Sequence, residues 1–334
     1  MSGRELTDES LDRRGFLRCM AWVGTGAVWT MSSGVLKGMP LGSTGVTGMS
    51  RGAGGGGLRF VQISDSHIGF DKPANSDVTA TLRAAIAKIK AAPDQPSFVL
   101  HTGDLTHLSK PAEFDTLQQV LSELSMPVFY VPGEHDVLED DGKSYRTRFG
   151  KETQGAGWHS FDQGGVHFIG LVNVINLKAG GLGNLGADQL EWLEKDVKRL
   201  KSSTPIVVFA HIPLWSVYPE WGWGTDDSAQ ALSHLKRFGS VSVLNGHIHQ
   251  VMQKVEGHIT FHTAMSTAFP QPAPGSAPSP GPMKVEADRL KQLLGLTRVS
   301  FQGVNHPIAV TDVTLEESTA NSAVRDKGAT VDHP

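Results

Sequence analysis

The sequence predicts a layered α/β fold, and two observations predict it. From Leu58 onward, short apolar runs alternate with segments of helical period, the order that stacks helices on a sheet. Acidic residues and histidines then stand directly after the apolar runs, where open α/β sheets bind their ligands.

Each element has its own justification. Residues 58–64, LRFVQIS, read as a buried strand. From Asp77 to Lys90, Val78, Leu82, Ala85, Ile86 and Ile89 recur at helical spacing, and Asp77 is placed to cap the first turn. Residues 97–102 predict a second strand, 112–124 a helix and 128–131 a third strand. Apolar runs at 158–161 and 166–172 follow, then a helix over 187–200, a strand over 206–210 and a helix over 228–238. Short strands are expected at 241–244, 251–255 and 259–263. Residues 270–282 are rich in Pro, Ala, Gly and Ser and read as a loop. A helix over 286–294 and a hairpin of 297–301 with 308–313 complete a domain spanning 58–315, and a polar tail occupies 316–334.

Composition narrows the function. The 334 residues are 39% apolar and 19% charged, enough to bury a core and unlike a disordered chain. The formal net charge is −4, with no basic run or stripe, which argues against a nucleic-acid polymer as partner. Cys19 is the single cysteine, so no internal disulfide can form.

The N-terminus reads as a targeting segment. Arg13-Arg14-Gly15-Phe16-Leu17 precedes a weakly apolar stretch from Cys19 to about Leu36 that contains Gly24, Gly26, Ser32 and Ser33. A basic region followed by a modest apolar region is the order of a secretory signal. The paired arginines resemble the twin-arginine motif of proteins exported in folded form. Residues 1–36 are therefore expected to be that signal, and 37–57, ending in Gly-rich sequence, a flexible linker. The expected location is the periplasm or another exported compartment, with the export machinery as partner. No Ala-x-Ala site is visible, so a cleaved signal and an uncleaved anchor, the latter the chain's only expected tie to a membrane, both stay open.

The chemistry concentrates at five strand ends: Asp65-Ser66-His67, Gly103-Asp104, Gly133-Glu134-His135-Asp136, His211, and Gly246-His247-Ile248-His249. Carboxylates and imidazoles suit first-row metal ions. Asp65, His67, Asp104, Glu134, His211, His247 and His249 are seven such groups, more than one ion needs, so two ions sharing a carboxylate is the natural reading.

This series resembles the signature of the calcineurin-like metallophosphoesterases, in particular the branch containing cyclic-nucleotide phosphodiesterases and purple acid phosphatases, across about residues 58–265. The resemblance implies a four-layer α/β/β/α sandwich with two metals at the sheet edge. It assigns Asp65, His67 and His249 to the first metal, Glu134, His211 and His247 to the second, and Asp104 to both. It puts His135 near the substrate. The implied reaction is hydrolysis of a small phosphoester, leaning to diesters, with a phosphomonoesterase or a non-catalytic binding module as alternatives. A bridging hydroxide would attack phosphorus in line, and His135 would protonate the leaving alkoxide. Asp136 either orients that imidazole or shapes the turn.

Two positions depart from the family pattern. Glu134 stands where Asn is usual, and its extra negative charge favours a trivalent–divalent pair: iron with a second ion, Fe, Mn or Zn. The alternative is that Glu134 turns away from the metals. His107 stands where the family places an acidic residue or Tyr. It is an added ligand, a donor that orients one, or a surface residue. Trp215, Tyr218, Trp221 and Trp223 crowd the loop after His211, as a substrate wall or as a self-packed loop. His262 is a residue that could reach the site, whereas His101 and His167 read as core.

Overall fold

A computed structural model describes residues 57–303 and 308–316, together with the backbone of 27–32 and 35–40. Along the chain two compact units divide between Gly55 and Gly56. In the first, β1 (Ala27–Ser32) and β2 (Val35–Pro40) pair as an antiparallel hairpin across the boundary between the expected signal and linker. Arg13, Arg14 and Cys19 lie outside the described residues, as do most of the expected linker and the tail from 317.

The second unit begins with β3 (Leu58–Ile63), α1 (Val78–Lys90), β4 (Val99–His101), α2 (Pro111–Leu121) and β5 (Val128–Tyr130). Next come α3 (Lys143–Phe149), β6 (His159–Gln163), β7 (Val166–Gly170), α4 (Ala187–Val197), β8 (Ile206–Ala210) and α5 (Ser228–Leu235). The unit closes with β9 (Val241–Asn245), β10 (Gln253–Glu256), β11 (Ile259–Thr263), α6 (Ala287–Leu293), β12 (Gly295–Phe301) and β13 (Ala309–Thr314). One sheet has the order β13-β12-β3-β4-β5 and the other β10-β11-β9-β8-β7-β6. Strands β3, β4 and β5 run parallel, as do β7, β8, β9 and β11.

Side-chain alternation sorts these elements into layers. Along β8, Val207 and Phe209 enter an apolar cluster shared with Phe60, Leu100 and Val299 of the other sheet. Ile206, Val208 and Ala210 face Leu190, Leu193, Ala231 and Leu235 of α4 and α5. On the far side, Val61 and Ile63 of β3 pack beneath Leu82, Ile86, Phe114 and Leu117 of α1 and α2. The result is the expected α/β/β/α sandwich. Fully burying each such Leu, Ile or Phe contributes about 1.5–3 kcal/mol.

Asp77 caps α1 as expected, accepting the Ala80 N–H at 2.9 Å. The expected helix from 112 begins one residue earlier, on Pro111, whose fixed φ suits a first helical turn. Helix α3 was not legible: in KSYRTRF only Tyr145 is buried, so no apolar stripe announces it. Among the described residues, no helix is long and apolar enough to cross a membrane.

Candidate metal centre

The parallel strands of both sheets end at one edge, and the loops that leave them hold the charged residues. Five of these residues, Asp65, His67, Asp104, His247 and His249, have φ between 41° and 70°. Only Ser109 and Asp141 join them as non-glycine residues with positive φ among those described. Such backbone is uncommon outside glycine and gathers where a site over-determines it. Here the loops are locked to one another. Asp65 donates its N–H to the Gly103 carbonyl at 3.0 Å, and His67 donates to the Asp104 carbonyl at 2.9 Å. The His247 N–H reaches the Asp65 carboxylate at 3.1 Å. A Cβ on Gly133 would come within 2.0 Å of Asp104 Oδ1, and one on Gly246 within 2.7 Å of Asp65 Oδ2. Glycine is therefore required at both positions by close approach to the carboxylates.

The side chains form two adjoining clusters. In the first, His249 Nε2 lies 3.3 Å from Asp65 Oδ1 and 3.3 Å from His67 Nε2. In the second, Glu134 places Oε2 3.0 Å from His211 Nε2 and Oε1 2.9 Å from His247 Nδ1. Asp104 Oδ2 stands between them, 3.4 Å from His67 Nε2 and 3.4 Å from His211 Nε2. Two rings are oriented from behind: the Nδ1–H of His211 donates to the Thr102 carbonyl at 2.7 Å, and that of His249 to the Phe269 carbonyl. Each then turns Nε2 inward, where it could bind a cation in place of a proton, the second-layer arrangement expected of metal-binding histidines.

The charges need a counter-ion. Burial disfavours the Glu134 carboxylate, but His247 and His211 outweigh it and hold its pKa well below the usual range. Burial also disfavours a charged His211, but Asp104 and Glu134 outweigh it and hold its pKa well above the ordinary histidine value. Burial, followed by the neighbouring imidazoles His135, His249 and His107, pushes His67 well below that value. Glu134 Oε2, His211 Nε2 and both nitrogens of His247 are buried and form no well-aligned hydrogen bond, their polar surroundings being the charged contacts just described. Leaving such groups unpaired is costly. Three carboxylates and four imidazoles converging at these distances fit a pair of cations, which would receive the orphaned lone pairs.

Around the clusters the expected residues divide. The Nδ1–H of His135 donates to the His107 carbonyl at 2.7 Å, and the ring borders the same cleft as Asp104 and Glu134. Burial works against its charged form, while Asp104 and Glu134 draw its pKa upward. Asp136 does not touch that ring. Its carboxylate accepts the N–H groups of Leu105, Thr106 and Gly133 and the Thr106 hydroxyl, at 2.8–3.0 Å. Of the two roles expected for Asp136, these contacts support the shaping of the turn, since its acceptor sites are taken mostly by backbone. Glu134 turns inward, towards His211 and His247. His107 stacks on His135 with centroids 5.0 Å apart and sets Nδ1 3.5 Å from Nδ1 of His67.

His262 does not reach the centre, because its Nε2 meets Asp312 at 3.0 Å. His101 bonds Ser66 at 2.6 Å, and burial lowers its pKa to about 3. Trp215 packs on Phe261 in the core beneath α4 and α5. Trp221 and Trp223 do border the cleft, joined by Phe269, Gln271, Pro280, Gly281 and Pro282. Sequence reasoning missed Phe269 and the Thr102 carbonyl, because a backbone oxygen carries no residue-type signal.

Comparison with known proteins agrees with this geometry. The family model for calcineurin-like phosphoesterase matches residues 58–251. A 3′,5′-cyclic-nucleotide phosphodiesterase of Nostoc sp. is 25% identical over 218 residues, 64% of this chain and 79% of that protein. A probable cyclic nucleotide phosphodiesterase of Synechococcus sp. is 28% identical over 225 residues, 64% of this chain and 83% of its own length. Among solved structures, a dimetal phosphatase from Danio rerio superposes with a TM-score of 0.57 at 14% identity, covering 78% of this chain and 97% of that one, a likeness of fold. With more than half of its length matched and a buried carboxylate–imidazole cluster at the sheet edge, the chain belongs to the calcineurin-like phosphoesterases and is a metal-dependent phosphoesterase.

Proposed function

We propose that the protein hydrolyses small phosphodiesters at a two-metal centre and does so after export. Asp65, His67 and His249 would hold one ion, Glu134, His211 and His247 the other, and Asp104 both. The observation that carries this reading is the convergence of the buried Glu134, His211 and His247 atoms, which form no well-aligned hydrogen bond, beside an Asp104 that faces both clusters. Such an ion pair supplies charge neutralisation for a phosphoryl group and acidifies an attacking water. His135, anchored through Nδ1, is placed to give the leaving alkoxide its proton. His107 acts from behind, orienting His67 and supplying the carbonyl that fixes His135. The third carboxylate, Glu134, favours iron in one position with Fe, Mn or Zn in the other.

The names of the relatives from Nostoc and Synechococcus support diesters, cyclic nucleotides included, over monoesters. The paired Arg13-Arg14 supports the twin-arginine route to the periplasm, by a signal either cleaved or kept as an anchor. One experiment addresses these points together. Cells producing the protein are fractionated, and the enriched fraction is assayed with bis(p-nitrophenyl) phosphate and with p-nitrophenyl phosphate and analysed for metals. The expected result is periplasmic activity, faster on the diester, with two ions per chain including iron. Asp104→Asn should lose activity and more than one ion. Full retention of both ions in that variant removes the shared role of Asp104, a faster monoester reaction removes the diester preference, and cytoplasmic activity removes export.

A further inference from the structure

The cluster residues His67, Asp104, Glu134 and His247 border a cleft of about 220 Å³, and the apolar and uncharged remainder of its lining is of another chemistry. It consists of Trp221, Trp223, Phe269, Gln271 and the stretch Pro280–Gly281–Pro282, and among the described residues no lysine or arginine lines the cleft. This wall comes from two loops. One follows His211, and the other is the Pro-rich segment after β11, beyond the residues 58–251 that the family shares.

Both loops are fixed before any ligand arrives. Trp221 sits half-buried in a single helical turn, Pro219–Trp221. It meets the fully buried Trp223 edge-to-face at 5.1 Å and Tyr218 edge-to-face at 5.1 Å. The Val217 N–H and the Trp223 carbonyl close the base of that loop at 2.8 Å. The second loop is closed by the Met283 N–H on the Pro270 carbonyl at 2.8 Å, and Gln250 Nε2 holds the Pro272 carbonyl at 2.9 Å. Rings and prolines held this way lose little freedom when a ligand packs against them.

We propose that Trp221, which lines the cleft together with Pro280–Gly281–Pro282, forms the subsite for the ester group that remains on phosphorus after cleavage, and that this group is a flat aromatic or heteroaromatic one. The inference rests on the phosphoesterase reading of the metal centre. A phosphomonoester brings a second charged oxygen at the position of that ester group, and the wall offers it no cation. A diester brings a neutral substituent there, and an uncharged wall with an aromatic face receives it by apolar burial and ring contact. Trp221 is thus a specificity-determining residue.

The test uses two diesters with the same leaving group, phenyl p-nitrophenyl phosphate and methyl p-nitrophenyl phosphate. Trp221→Ala should lower kcat/KM for the phenyl diester about 10-fold, mainly through KM, and leave the methyl diester within about 2-fold. Trp221→Phe should restore most of the loss, and metal content should match wild type throughout. If Trp221→Ala does not yield folded protein, Trp221→Gln, which keeps bulk without a ring, carries the same expectation. Equal loss on both diesters, or no loss on either, overturns the subsite. Failure of the wild-type protein to cleave either diester is a different result: it overturns the reading of the metal centre, and the subsite with it.

Discussion

Asp104 stands at 3.4 Å from His67 of one sheet and 3.4 Å from His211 of the other. Its own Oδ1 also receives the His135 N–H at 2.9 Å. The residue that faces both clusters therefore also seats the proposed proton donor, and a variant of His135 separates the two duties. His135→Gln removes the ring nitrogen at the cleft and leaves every proposed metal ligand in place. Turnover should fall by about 10²–10⁴-fold with two ions still bound. The loss should shrink as the leaving group becomes a weaker base, which stopped-flow rates over a series of aryl and alkyl diesters would read. A loss independent of the leaving group contradicts the donor role. At this scale the residues of the two clusters were legible in the sequence, because each carboxylate or imidazole follows a strand whose apolar run is visible. The sequence left Asp136 open between the imidazole and the turn, since the backbone N–H groups of Leu105, Thr106 and Gly133 that donate to its carboxylate are positioned only in the folded loop.

The strands and helices divide between those with a periodic apolar face and those without one. Strand β8 and helix α1 were legible because each buries an unbroken pattern. Helix α3 and edge strand β10, whose residues are all exposed, were not well bounded by any pattern. Some joints between elements are polar. On β7, His167 sets Nδ1 2.8 Å from Asp162 of β6 and Nε2 2.9 Å from Asp196 of α4. Burial opposes its charged form, but the hydrogen bonds to Asp196 and Asp162 outweigh this and raise its pKa. A group whose pKa is raised on folding stabilises fully below its unfolded value of about 6.5, and the gain is lost as pH rises through the folded value. His167→Gln should therefore cost about 1–2 kcal/mol at pH 5.5 and distinctly less at pH 8.5, read from urea unfolding with metal saturated at both pH values. The exposure of Asp162 keeps its share small. A cost equal at the two pH values means that His167 carries no charge in the fold.

The two sheets share an apolar cluster between them, and at the site edge they meet across charge. Asp65, His67, Asp104 and Glu134 follow strands of one sheet, and His211, His247 and His249 follow strands of the other. Ions held there would tie the layers together, so the metal centre is expected to be a fold determinant as well as a catalyst. The strained loops point the same way, since the ligands keep positive φ only while their surroundings enforce it. A ligand at about 100 times its dissociation constant stabilises by roughly 2.7 kcal/mol, so two such ions give roughly 5 kcal/mol. In a domain of this size about 1 kcal/mol moves the melting temperature by ~2–4 °C. Stripping the metals with a chelator should thus lower Tm by roughly 10–20 °C, with recovery on re-addition of iron and a divalent ion. Glu134→Asn removes one charge facing His211 and His247, so its Tm should respond less to iron than wild type. An apoprotein that melts at the holoprotein's temperature would show that the ligands from the two sheets do not share their ions.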